Sequence, residues 1–86
     1  MIRTILIDDE RNSRESLRKK IQQYCPDVAI QGEYANGLEG LEAIRKETPD
    51  LVFLDIEMPL MNGFSMLSEL PVRDFDVIFT TAFNQY

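Results

Sequence analysis

Carboxylate side chains directly follow two short apolar runs of the sequence. Asp55 comes after Leu51–Leu54, and Asp8 and Asp9 come after Ile5–Ile7. Short apolar runs of this kind are typical of strands that are buried on both faces of a parallel sheet. Because ligands bind open parallel sheets at the carboxyl ends of the strands, we expect the three carboxylates to meet at one edge.

Carboxylates that meet at one edge repel each other, so either the pKa of one rises or a cation binds among them. Mg²⁺ is the expected cation, since it prefers one or two carboxylates together with waters and a phosphate oxygen. A carboxylate left free can attack phosphorus and form an aspartyl phosphate. Asp55 is the candidate nucleophile because a buried strand holds it. Thr81, after a further apolar run, is expected at the same edge, where its hydroxyl could bind a phosphoryl oxygen.

Each of these residues also has a simpler interpretation. Asp55 alone is compatible with a solvated carboxylate at a strand end, and Thr81 with an ordinary β-branched strand residue. Asp8 and Asp9 are compatible with helix capping. The joint site is favoured because two predicted strands end in the same way.

Composition narrows the class of protein. The 86 residues suffice for one small domain, and a net charge of −6 without a Lys/Arg block argues against direct nucleic-acid contact by this segment. The absence of histidine argues against zinc. Cys25 is the single cysteine, so no internal disulfide forms, and a reducing, cytoplasmic location is expected. No apolar stretch is long enough to span a membrane.

Strand and helix patterns alternate along the whole chain. Strands are predicted over Arg3–Ile7, Val28–Tyr34, Leu51–Asp55 and Asp76–Ala82, with a helix in each interval. This alternation predicts an α/β fold with a doubly wound parallel sheet. In the first helix, Leu17, Ile21 and Tyr24 are expected to face the core, and Arg14 and Arg18 to face mostly outward. Asp9 or Asn12 is expected to cap the first helix and Asn36 the second.

Three motifs together carry a family resemblance. Ile7–Glu10, Leu54–Gly63 and Phe79–Phe83, in this order, resemble the receiver domain of two-component response regulators, and Asp-x-x-Met-Pro-x-Met-Asn-Gly is the most specific part. The resemblance implies a flavodoxin-like strand order, here 2-1-3-4. The Thr-Thr-Ala-Phe-x-x-Tyr ending resembles regulators that carry a LytTR-type DNA-binding domain.

The resemblance also implies roles for individual residues. Asp55 would be the phosphoacceptor, and Thr81 the hydroxyl that moves toward the phosphoryl group on activation. Asp9 would bind Mg²⁺ directly, Asp8 mainly through water, and Glu57 through its backbone carbonyl. The phosphoryl donor would be a histidine kinase. The domain would undergo its own modification and would not be a turnover enzyme.

The chain is shorter than the family pattern, which has five strands and five helices and a lysine at the end of the fifth strand. Residues 1–86 supply four strands and three helices, and no lysine stands at that place. We therefore expect a partial receiver domain whose output domain, which would bind DNA, lies outside this segment. We also expect the fourth strand to be an exposed edge, through which chains self-associate or exchange elements.

Two other functions fit parts of the pattern. Mg²⁺-dependent aspartyl-phosphate phosphatases carry Asp-x-Asp-x-Thr/Val after the first strand, which Asp8–Asn12 does not match. A receiver-like interaction module that is never phosphorylated is disfavoured by Asp8, Asp9 and Asp55 but is compatible with the missing lysine.

Overall fold

The computed structural model describes residues 1–70 and 73–80, which form a parallel sheet with three helices. The strands are β1 (Ile2–Ile7), β2 (Val28–Tyr34), β3 (Leu51–Asp55) and β4 (Asp76–Thr80). The helices are α1 (Arg11–Tyr24), α2 (Gly37–Glu47) and α3 (Gly63–Ser68). The strand order β2-β1-β3-β4 confirms the predicted α/β fold with flavodoxin-like order.

Side chains of β1 alternate between the two faces of the sheet. Ile5 and Ile7 belong to the apolar core that also contains buried residues of α2 and α3. Leu6 is equally buried and points to the opposite face, since successive strand residues alternate. The buried residue of α1, Ile21, lies outside the core cluster formed with α2 and α3. Helices thus cover both faces, and β1 is enclosed.

Helix α1 begins differently from the sequence prediction. Glu10 has extended backbone and caps the helix, because its carboxylate accepts a hydrogen bond from the N–H of Ser13 at 3.2 Å. The prediction of Asp9 or Asn12 as the cap is therefore wrong; Asn12 already lies inside the helix. The predicted cap Asn36 of α2 is confirmed by its contact with a backbone N–H.

The last turn of α1 also departs from the prediction. Tyr24 is 71% exposed, so its assignment to the core is wrong, whereas Ile21 is buried as expected. Tyr24 is the final residue of the helix.

No helix in residues 1–70 and 73–80 is long and apolar enough to cross a membrane.

Strand β4 lies at one end of the sheet formed by the described residues. Ile78 and Phe79 are partly exposed there, and the ring of Phe79 contacts that of Phe64 with centroids 5.1 Å apart. The sequence predicts that this strand continues to Ala82 and that the hydroxyl of Thr81 moves toward the phosphoryl group. Thr81 and Ala82 lie outside the described residues. Self-association through this strand stays a prediction.

The start of α3 lies directly against the end of β3. The N–H of Gly63 donates to the carbonyl of Ile56 at 2.9 Å. A Cβ atom at Gly63 would lie 2.8 Å from the backbone oxygen of Asp55 and 3.2 Å from the Cα of Ile56. Glycine is required here because backbone atoms cannot move aside as side chains do.

We predict that Gly63→Ala lowers the free energy of unfolding by about 1 to 3 kcal/mol, because the added methyl group forces the end of β3 and the start of α3 apart. Gly32→Ala is the matched control. Its Cβ would meet the hydroxyl end of Tyr34, a side chain that can rotate away. The expected loss for the control is below about 1 kcal/mol, measured by urea denaturation followed by circular dichroism. Equal losses would contradict the close-approach argument.

Candidate functional site

The register of the two central strands brings the predicted carboxylates together. β1 and β3 are parallel neighbours in which Ile7 aligns with Leu54, so the residues that follow, Asp8 and Asp55, lie side by side. The carboxylates of Asp8, Asp9 and Asp55 each offer an oxygen within 4.8 Å of the others. Asp8 and Asp55 are buried, and Asp9 is exposed. The three side chains therefore lie close together, as the sequence predicts.

Three hydrogen bonds hold Asp8 in place. Its N–H donates to the carbonyl of Tyr34 on β2 at 3.0 Å, and its Oδ1 accepts from the N–H of Glu10 at 2.8 Å. Its backbone carbonyl accepts from Nη1 of Arg14 at 2.6 Å. The loop after β1 is therefore anchored by β2, by its own backbone and by a side chain of α1.

The contact made by Arg14 differs from the sequence prediction, in which this side chain faces mostly outward. The side chain is only 16% exposed and extends from α1 toward the β1 loop and β2. Helical spacing alone could not find it, because the partner Glu33 comes from a strand nineteen positions further along the sequence. The one signal in the sequence is a cation six residues after Asp8.

Asp55 is held by the backbone around it. Its Oδ1 accepts a hydrogen bond from the N–H of Glu57 at 3.1 Å. The next N–H, that of Ile56, donates to the carbonyl of Thr80 on β4 at 3.2 Å. Thr80 aligns with Asp55 in the β3–β4 ladder. Glu57 therefore contacts the cluster through its backbone. The residue is exposed, so its side chain is not part of the core.

The loop between β3 and α3 combines a buried and an exposed apolar side chain. Met58 is part of the core, whereas Leu60 is fully exposed and has a positive φ of 71°. A leucine in this left-handed conformation costs about 1 to 2 kcal/mol. Asn62 then caps α3 by accepting from the N–H of Ser65 at 2.8 Å. The loop beside Asp55 is thus fixed at both ends.

Burial raises the pKa of Asp55 to about 7. The negative charge of Asp8 and hydrogen bonds with Asp8 and Asp9 act in the same direction, and the hydrogen bond from Glu57 opposes them. In the described part of the chain, no ion pair joins a lysine or arginine side chain to any of these three carboxylates. A proton or a bound cation must therefore relieve the repulsion between the carboxylates.

The donor set suits a hard divalent cation. All three side chains offer carboxylate oxygens, the ligands that Mg²⁺ prefers, and the exposed Asp9 gives access for waters that Mg²⁺ retains. The cluster contains neither sulfur nor imidazole, the usual ligands of structural zinc. Asp8, Asp9 and Asp55 therefore fit the predicted metal.

The raised pKa of Asp55 predicts that stability depends on pH in metal-free solution. The pKa is about 7 in the folded chain and about 4 in an unfolded one, so the folded state binds more protons between these values. The free energy of unfolding therefore falls as pH rises from about 4 to about 7, and stays low above that. At about 1.4 kcal/mol per pKa unit, the loss is at most about 4 kcal/mol.

Asp55→Asn should remove this pH dependence and raise the free energy of unfolding at about pH 8 by about 1 to 3 kcal/mol, because the buried charge at position 55 and its repulsion by Asp8 are then removed. Urea denaturation in the presence of a chelator, repeated across the pH range, measures the effect. Asp27→Asn, at an exposed position after α1, is the control and should change stability by less than about 0.5 kcal/mol. A destabilised Asp55→Asn variant with the parent's pH slope would contradict the prediction.

The chain is similar to known proteins in sequence. Residues 4–86 match the family model described as the response regulator receiver domain. The transcriptional regulatory protein BtsR of Escherichia coli K12 is 41% identical over 87 residues, which cover all of this chain and 36% of that protein. A response regulatory protein of Vibrio cholerae has the same identity and coverage. The chain thus spans about a third of the length of the curated relatives it matches.

Solved structures show the same arrangement of elements. A DNA-binding response regulator of the LuxR family from Staphylococcus aureus has a TM-score of 0.87 and 30% identity, over 99% of this chain and 72% of that one. The response regulator domain of Thermotoga maritima CheB has a TM-score of 0.85 and 31% identity, over 95% and 61% of the two chains. From its sequence and its fold, the chain belongs to the response regulator receiver domain family.

Proposed function

We propose that this receiver domain accepts a phosphoryl group on Asp55 from a histidine kinase, with Mg²⁺ bound at the carboxylate cluster. The observation that carries the proposal is the meeting of buried Asp55 with Asp8 and Asp9, all within 4.8 Å. Asp9 and Asp55 would hold the metal directly and Asp8 mainly through water. The backbone carbonyl of Glu57 would complete the protein's ligands.

The transfer step uses the geometry around Asp55. A carboxylate oxygen of Asp55 forms a bond to phosphorus while the bond between phosphorus and the donor's imidazole nitrogen breaks. The N–H of Glu57 holds Oδ1, which fixes the rotation of the carboxylate and leaves the second oxygen to attack. Mg²⁺, when bound, supplies the positive charge that neutralises the carboxylates and the transferred group.

The proposed module changes its own state and does not turn over a substrate. Phosphorylation would shift the domain between two conformational populations, with the hydroxyl of Thr81 moving toward the phosphoryl group. Thr81 lies outside the described residues, so this role derives from the family motif alone. The cytoplasmic location stays a prediction, supported by the single, exposed and unpaired Cys25.

We further propose that residues 1–86 act as the receiver part of a longer regulator. BtsR, described as a transcriptional regulatory protein, is matched over only 36% of its length. Control of transcription would then be exercised by a DNA-binding segment outside these residues. The net charge of −6 is consistent with a segment that does not itself contact nucleic acid.

Incubation with Mg²⁺ and acetyl phosphate, followed by intact-mass measurement, tests the proposal. We expect a single phosphoryl adduct on the parent chain, because acetyl phosphate supplies the same phosphoryl group without a kinase. Asp55→Asn should give no adduct, since an amide is a poor nucleophile. Asp9→Asn should slow adduct formation by at least about tenfold, because it removes a proposed ligand of Mg²⁺.

Asp27→Asn is the matched control, because it removes the same charge at a position outside the cluster and should label like the parent. An adduct on Asp55→Asn, or equal labelling after Mg²⁺ is removed by a chelator, would contradict the proposal. A folded parent chain that forms no adduct calls for the same test on a longer chain that continues past Tyr86. Continued failure there would contradict the proposal and favour the interaction module, whereas recovery would show that the reaction needs the lysine of the fifth strand.

A further inference from the structure

Arg14 contacts both the carboxylate cluster and an ion-pair network. Its Nη1 donates to the backbone carbonyl of Asp8 at 2.6 Å. This bond is charge-assisted, and such bonds are shorter and roughly twice as strong as neutral ones. Since Asp8 belongs to the cluster, the position of its backbone decides where its carboxylate, and that of the adjacent Asp9, can lie.

The same guanidinium is held from β2. Its Nε lies 3.4 Å from Oε1 of Glu33, and the two side chains are only 16% and 22% exposed. Nε is enclosed without a well-aligned hydrogen bond, so Glu33 supplies charge more than a directed bond. Glu33 also binds Nη1 of Arg18 at 2.8 Å. Glu33 thus fixes two arginines of α1, of which Arg14 alone reaches Asp8 in the contacts of the described residues.

Three hydrogen bonds in the described residues join Asp8 to Tyr34, Glu10 and Arg14, and among these three the bond from Arg14 alone is donated by a side chain. The bonds with Tyr34 and Glu10 involve backbone groups of those residues and do not require a particular side chain at position 14. Loss of the arginine should therefore leave the strand and the helix folded but give the loop that carries Asp8 and Asp9 more freedom.

We propose that Arg14 is a positioning residue that sets the Mg²⁺ affinity of the carboxylate cluster by fixing the backbone of Asp8. The inference depends on the proposed function, because it assumes that the cluster binds Mg²⁺. Arg14 does not touch the metal. Partners of metal ligands typically change metal affinity about 10- to 100-fold when they are mutated.

The test measures the Mg²⁺ dissociation constant of the chain by NMR titration with MgCl₂ at constant ionic strength, following the amide signals of Glu10 and Glu57. Arg14→Gln should raise the dissociation constant about tenfold. Arg14→Lys keeps the positive charge and a nitrogen that can donate to the carbonyl of Asp8, so it should retain more of the affinity than Arg14→Gln. Circular dichroism at the same low temperature confirms that each variant is folded, so that lost stability is not mistaken for lost affinity.

Arg18→Gln is the matched control. It removes an ion pair to the same Glu33 from the same helix but has no contact with Asp8 in the described structure. It should leave the dissociation constant within about twofold of the parent value, well below the change typical of partners of metal ligands.

Three outcomes would overturn the inference. A folded Arg14→Gln variant with the parent's affinity for Mg²⁺ would overturn this inference and leave the proposed metal site standing. An equal loss of affinity in Arg18→Gln would do the same, because it would show that the ion pairs act only through general stability. A parent chain without saturable Mg²⁺ binding would overturn the proposed metal site and this inference together.

Discussion

Repulsion between the carboxylates at the ends of β1 and β3 is the constraint on which the rest of the structure depends. Asp8 and Asp55 are buried, and their oxygens and that of Asp9 lie within 4.8 Å of one another. Such an arrangement is costly in metal-free solution: burial, together with the negative charge of Asp8, raises the pKa of Asp55 to about 7. The same repulsion is what makes the cluster suited to a divalent cation.

The sheet maintains this arrangement because its central strands cannot separate. β1 lies between β2 and β3, and its last residues, Ile5 to Ile7, are almost completely buried. The loops that follow the strands are held by hydrogen bonds to Asp8 and Asp55 from neighbouring backbone groups. Close approach of α3 at Gly63 fixes the far side of the site. Core packing thus holds the carboxylates close together against their mutual repulsion.

The sequence allowed most of this arrangement to be predicted, because it depends on short-range patterns. Leu51–Asp55 was predicted with the observed bounds because an apolar run ends at a charge, and Val28–Tyr34 was predicted with the observed bounds from a weaker apolar pattern. The meeting of the three aspartates followed from parallel topology, in which all strands end at the same edge.

The errors concern features that depend on three-dimensional contacts. Glu10, and not Asp9 or Asn12, caps α1 because capping depends on backbone angles at the helix start. Arg14 was expected to face mostly outward, because the helix pattern alone does not include its partner Glu33 on β2. Leucine is rare in the left-handed conformation, so nothing in the sequence indicated the positive φ of Leu60.

The claim that three carboxylates form one cation site is tested most directly by diffraction. Crystals of the chain grown with Mn²⁺, a divalent ion with similar oxygen ligands and a measurable anomalous signal, would locate the metal. We predict one anomalous peak within bonding distance of carboxylate oxygens of Asp9 and Asp55, with Asp8 close by. A cluster without a peak, or a peak at other carboxylates only, would contradict the metal site and the function proposed from it.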